Sequence, residues 1–123
     1  MSEIGIILSS HVFKLAEGVY QLLQETAPDL SITYAGGTDD GEIGSSFDKI
    51  TTAIKDNEAD HCFAFYDLGS AKMTMEMAIE MTDKTVEIMD VAFIEGAYTA
   101  ASLLSGGTNY DRVVEQLKPL TVK

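Results

Sequence analysis

The sequence predicts an α/β domain: a doubly wound, mostly parallel sheet of four or five strands in the order 2-1-3-4, with helices on both faces. Two observations point there. Short apolar runs alternate with longer helical patterns along the whole chain, as repeated βαβ units require. The run over 62–66 is apolar at nearly every position, as a strand covered on both faces must be. The strand order is the common doubly wound arrangement and is not dictated by individual residues.

Each element has its own signal. A first strand is expected over 3–9. A helix follows over 12–26, with Val12, Leu15, Val19 and Leu22 on one apolar stripe and Pro28 just beyond its end. A second strand over 30–35 is closed by Gly36-Gly37, and a polar loop over 38–44 leads to a second helix. Ser45 or Ser46 caps that helix, and Phe47, Ile50, Ala53 and Ile54 form its buried face. After the third strand a helix is expected over 70–82. Its methionines Met73, Met77 and Met81 recur every fourth residue, a pattern of core or interface packing rather than of a cofactor site. A fourth strand over 85–89 precedes a helix over 95–104 that stops at Gly106-Gly107. A last helix spans 110–117, with Pro119 beyond it, and Phe93-Ile94 is a candidate short fifth strand.

With 123 residues and no repeat or linker, the chain reads as one domain over 1–123. Such a length buries enough surface to fold without disulfide or metal staples. A single cysteine, Cys62, excludes an internal disulfide framework and suits a reducing compartment. The opening residues lack a basic segment, and no apolar run approaches the ~20 residues of a membrane span. A cytoplasmic protein is expected. Twenty acidic against eight basic residues give a net charge of −12. That balance disfavours nucleic acid and anionic membranes as partners. It would steer a basic protein towards the chain, although it also serves solubility alone.

Ligands of open parallel sheets bind beyond the carboxyl ends of the strands, where the order reverses. In the expected order that point lies between the first and third strands, which end at His11 and Asp67. A carboxylate bonded to one imidazole nitrogen fixes the tautomer and leaves the other nitrogen as a nucleophile. With no catalytic Ser or Cys beside it, such a histidine suits phosphoryl transfer through a phosphohistidine. If Asp67 takes Nδ1, Nε2 is left free. Helix N-termini after His11 and at Gly69-Ser70, and the loop Gly36-Gly37-Thr38, would offer backbone donors to the phosphoryl oxygens. Plainer roles compete: His11 as a structural strand-end residue and Asp67 as a helix cap. His61 lies at the start of its strand, away from this crevice, and is read as structural or exposed. Asp39-Asp40-Gly41-Glu42 has the look of a cation loop, but acidic turns are commonly solvated, and no metal or cofactor is expected.

Four segments carry a family resemblance over nearly the whole chain and in the right order. They are Ser10-His11 with Leu15-Ala16-Glu17-Gly18-Val19, Ala35-Gly36-Gly37-Thr38 with Ile43-Gly44-Ser45-Ser46, Asp67-Leu68-Gly69-Ser70-Ala71, and Ile94-Glu95-Gly96-Ala97. The chain resembles the phosphocarrier subunits of phosphoenolpyruvate-dependent dihydroxyacetone kinase, which group with mannose-type IIA domains of the sugar phosphotransferase system. The resemblance implies a homodimer that takes a phosphoryl group on His11 from the histidine phosphocarrier protein. It implies transfer onward to ADP held by the nucleotide-binding kinase subunit, with Asp67 as the acidic partner of His11. Ser10, Gly36, Gly37, Thr38, Gly69 and Ser70 are then the candidate phosphate contacts. Val12 stands where relatives often carry a second serine, and Lys72 adds a cation near the crevice, facing solvent or a phosphate. A sugar-transporter IIA domain and a non-catalytic regulatory module are the competing readings.

Overall fold

A computed structural model describes residues 3–123. Its four strands are β1 (Ile4–Ser10), β2 (Ile32–Gly36), β3 (His61–Tyr66) and β4 (Thr85–Met89). They form one parallel sheet in the order β2-β1-β3-β4. Five helices accompany them: α1 (Phe13–Thr26), α2 (Phe47–Asp56), α3 (Gly69–Ile79), α4 (Phe93–Ser105) and α5 (Tyr110–Leu117). A 3-10 turn, Lys118–Leu120, follows α5.

Alternation along the two central strands builds two apolar layers. Ile6 and Leu8 of β1 and Phe63 and Phe65 of β3 face α1, α4 and α5. Ile7, Cys62, Ala64 and Tyr66 face α2 and α3. Both central strands are buried on both sides, which is why β3 reads as an unbroken apolar run.

Several expectations need correction. The buried stripe of α1 is Ala16, Val19 and Leu23, while Val12, Leu15 and Leu22 are exposed. The helix is turned by about one residue because its start lies directly on β2. A Cβ at Gly36 would sit 2.7 Å from the Phe13 Cα and 3.0 Å from the Ala16 Cβ, so two small residues are needed where the helix meets the strand. Phe47, expected in the buried face of α2, is 37% exposed on its first turn. Ile50, Ala53 and Ile54 are buried as expected, and Ser46 is the cap, accepting from the Lys49 N–H at 3.1 Å. Of the core or interface packing expected for Met73, Met77 and Met81, the core half is overturned: they are 67%, 59% and 74% exposed, and α3 packs on the sheet through Ala71, Met75 and Ala78. Phe93-Ile94 is the first turn of α4, not a fifth strand. Past β4 the chain makes a single antiparallel bridge, Val91 with Thr121.

Opposite the switch point, one buried side chain ties the amino end of the sheet together. Asn57 Nδ2 donates to the Ile6 carbonyl at 3.0 Å, the Ser31 carbonyl at 3.2 Å and Thr33 Oγ1 at 3.2 Å. Its Oδ1 accepts from the Ala59 N–H at 3.0 Å. Gly5 leaves room for it, since a Cβ there would meet Asn57 Oδ1 at 2.3 Å. Replacing Asn57 strands several buried backbone groups at once. Asn57→Ala is expected to lower unfolding free energy by roughly 2–3 kcal/mol. Urea titration checks this, and an unchanged midpoint would refute the clamp.

Candidate active site

His11 leaves the carboxyl end of β1 and Asp67 leaves that of β3. The register places Ser9 beside Tyr66, so the two residues emerge from adjacent strands. Both side chains are largely buried, 13% and 14% exposed. His11 Nδ1 lies 2.9 Å from Asp67 Oδ1. An ionised carboxylate only accepts, so Nδ1 carries the hydrogen and the lone pair is on Nε2. The Ser70 hydroxyl, at the second residue of α3, contacts Nε2 as its donor.

Asp67 is held from four sides. Oδ1 also accepts from the Leu68 N–H at 2.7 Å. Oδ2 accepts from the Ser10 hydroxyl at 2.8 Å and from the His11 N–H at 3.0 Å. Burial pushes this carboxyl up. The ring and backbone of His11, the Ser10 hydroxyl and the Leu68 N–H outweigh burial and hold it below the ordinary value of 3.8. Ser10 in turn accepts from the Val12 N–H at 3.1 Å, which fixes its own orientation. Ser10 is buried, with its hydroxyl engaged by the carboxylate.

The remaining candidates divide. Gly69 and Ser70 open α3, and Phe13 and Lys14 open α1. First-turn N–H groups have no acceptor inside their own helix and point outward at the positive end of the dipole. In the β2 loop, the Gly37 N–H donates to the Ser10 carbonyl at 3.1 Å and the Thr38 N–H to the Glu42 carbonyl at 2.9 Å. The Thr38 hydroxyl accepts from the Glu42 N–H at 3.0 Å. Gly37 has φ +74°, a turn that glycine adopts without strain. The loop returns to the site, where the Gly44 N–H meets the His11 carbonyl at 2.9 Å. The loop borders the site, and its Gly37, Thr38, Gly41 and Gly44 N–H groups are engaged in backbone hydrogen bonds. Gly36 serves the approach of α1, and its carbonyl accepts from Lys49 Nζ at 2.9 Å.

Other titratable groups are placed elsewhere. His61 sits at the start of β3 and pairs with Glu87 at 2.5 Å. Lys72 pairs with Asp90 at 2.9 Å. Burial pushes the Cys62 thiol up to about 11, so it stays protonated inside the α2–α3 layer. Among the described residues no cluster of three or more His, Cys, Asp or Glu is arranged to hold a metal, and no helix is long and apolar enough to cross a membrane. The Ser10 link was hidden in the sequence. A serine before a histidine carries no mark of which carboxylate it will meet 57 residues later.

A family model described as the fructose IIA component of the phosphotransferase system, EIIA-man, matches residues 5–114. The phosphotransferase subunit DhaM of the PTS-dependent dihydroxyacetone kinase of Lactococcus lactis is 44% identical, over 97% of both chains. A phosphoryl donor subunit DhaM from Listeria innocua is 42% identical, over 97% of this chain and 96% of its own length. A crystal structure of a protein of unknown function superposes with a TM-score of 0.84 at 26% identity, covering 100% of this chain and 98% of the other.

The depressed Asp67 carboxyl makes a signed prediction. Its contribution to stability is full above the ordinary carboxyl value and is lost as pH falls through the lower folded-state value. Unfolding free energy measured against pH is expected to drop along that acid limb. Asp67→Asn is expected to flatten the limb; an unaltered limb would refute the role of this carboxylate.

Proposed function

The chain belongs to the IIA family of the phosphotransferase system described as EIIA-man, and from that membership we propose that it carries a phosphoryl group on Nε2 of His11. The observation that carries this reading is the imidazole locked through Nδ1 to Asp67, with its other nitrogen at Ser70 in the first turn of α3. In the accepting step, Nε2 attacks the phosphorus of a phosphohistidine on the donor. The new N–P bond forms as the old one breaks, and its electron pair returns to the donor ring. Nδ1 keeps its hydrogen, and Asp67 stabilises the positive ring that results. Ser70 then turns its hydroxyl from Nε2 to a phosphoryl oxygen, beside the N–H groups of Gly69 and Ser70.

In the delivering step, a terminal phosphate oxygen of ADP attacks the phosphorus. The N–P bond breaks, its electrons return to Nε2, and ATP leaves. This acceptor follows the DhaM relatives, whose names place them in dihydroxyacetone kinases. The donor in this reading is the histidine phosphocarrier protein and the acceptor is ADP held on the kinase's nucleotide-binding subunit, both in the cytoplasm. Exposed Val12, Phe13, Ile43 and Leu68 lie on segments flanking His11 and suit docking of protein partners. Exposed Met73, Met77 and Met81 on α3 suit a homodimer contact.

The test is intact mass after mixing with phosphoenolpyruvate and the two general phosphotransferase components. The wild type is expected to gain one acid-labile phosphoryl group, and His11→Ala to gain none. Asp67→Asn presents the wrong hydrogen-bonding partner to Nδ1, and a loss of roughly 100-fold in transfer rate is expected. Ser70→Ala removes one donor from the phosphoryl oxygens, for a loss of roughly tenfold. Addition of the kinase subunit with ADP should then discharge the protein. No gain by the wild type, with the components active on another carrier, would overturn the reading. Discharge to a sugar transporter instead would reassign the acceptor.

A further inference from the structure

A second charged cluster lies beside the site. Asp90, just past β4, accepts from the Tyr66 hydroxyl at 2.5 Å and pairs with Lys72 at 2.9 Å. The 118–123 segment returns along this edge. The Ala92 N–H donates to the Leu120 carbonyl at 2.9 Å and the Val122 N–H to the Asp90 carbonyl at 3.3 Å, on either side of the Val91–Thr121 bridge. That path delivers Lys123 to the carboxyl end of β3. Its ammonium donates to the Tyr66 carbonyl and stands 4.0 Å from the Tyr66 ring centroid. The carbonyl it grips belongs to the peptide bond leading into Asp67.

One hydrogen bond, one residue and one further hydrogen bond thus connect the Lys123 ammonium to the His11 ring. Burial pushes the Lys123 ammonium down while Asp67 and Asp90 push it up, so both carboxylates act on it. Among the described residues no carboxylate lies within ion-pair distance of Lys123, whereas Lys72 is already neutralised by Asp90. Lys123 is therefore the cation of this cluster that no carboxylate contacts directly. A phosphoryl group adds about −1.5 to −2 charges at neutral pH, next to a carboxylate already ionised.

We infer that Lys123 is a positioning residue of this site, held by the Tyr66 carbonyl and ring so that its charge offsets the charge a phosphoryl group brings to His11. The inference rests on the carrier reading above. A unit cation within roughly 10 Å of such a group shifts its equilibrium several-fold, and the shift weakens as salt screens it. Lys123 acts through the field and through the Tyr66–Asp67 peptide; it does not touch the reacting nitrogen.

Two variants separate charge from packing. Lys123→Gln keeps a donor for the Tyr66 carbonyl and removes the charge; Lys123→Arg keeps the charge. Each is equilibrated with an equimolar pool of phosphorylated histidine phosphocarrier protein, and the phosphorylated fraction is read by intact mass. Lys123→Gln is expected to lower the phosphorylated-to-free ratio roughly fivefold at low salt and by less at high salt, with Lys123→Arg restoring it. The phosphorus NMR titration of the bound phosphoryl group should move up by a few tenths of a pH unit in Lys123→Gln, which a purely structural role would not produce. A phosphorylated wild type with Lys123→Gln identical to it in both readouts overturns the inference alone. A wild type that takes no phosphoryl group overturns the carrier reading and this inference with it.

Discussion

The Asp67 carboxylate is the constraint on which the site depends. Its two oxygens receive a ring N–H, two backbone N–H groups and a serine hydroxyl. Each of those donors comes from a place the fold must hold: the end of β1 and the turn that leads into α3. A carboxylate bonded so completely resists protonation and resists rotation. The imidazole thereby acquires one tautomer and one orientation, and the Nε2 lone pair, met by the Ser70 hydroxyl, is presented in one direction. Losing any single donor would loosen the others, because three of the four come from the consecutive pair Ser10-His11 and reach the same group.

The sheet order makes that convergence possible. Only with β1 beside β3 do residues 11 and 67 leave adjacent strands, and from there the chain enters α1 on one face and α3 on the other. Small residues at Gly36 and Ala16 let α1 start close against β2. That contact sets where the helix N-terminus points. The same packing rotates α1 away from the stripe its leucines suggest, so helix placement follows backbone proximity over hydrophobic count.

Much of this was legible in the residues. Buried β3 announces itself through its unbroken apolar run, and β4 and α5 fall where periodicity and turn residues put them. The pairing of His11 with Asp67 was legible once a strand order was assumed, because both residues close strands. What stayed hidden depends on distances across the chain. Ser10 as the carboxylate's donor, Asn57 as the clamp at the far end, and Lys123 on the Tyr66 carbonyl each join positions that no local pattern relates. The methionines of α3 mark one face by their spacing, and spacing alone does not say whether that face meets the sheet or lies outside it.

A carrier has to release what it accepts, which limits how strongly it should hold the phosphoryl group. A deep, cation-rich cradle would trap the intermediate and raise the barrier to delivery. The geometry here is restrained. The Gly37, Thr38, Gly41 and Gly44 N–H groups of the β2 loop are engaged by backbone carbonyls, Lys72 is neutralised by Asp90, and Ser10 is turned towards Asp67. On the proposed reading, what is left for the phosphoryl oxygens is helix N-termini and one serine that already contacts Nε2, with Lys123 acting from a distance through its charge. In the proposed carrier step Ser70 would make the exchange nearly even, its hydroxyl losing a bond to the ring as it gains one to the phosphoryl group. A phosphohistidine stabilised mainly by a fixed tautomer and partial charges could be passed in either direction, and in the proposed reading the acidic surface would bear on partner choice through charge rather than on the strength of the N–P bond.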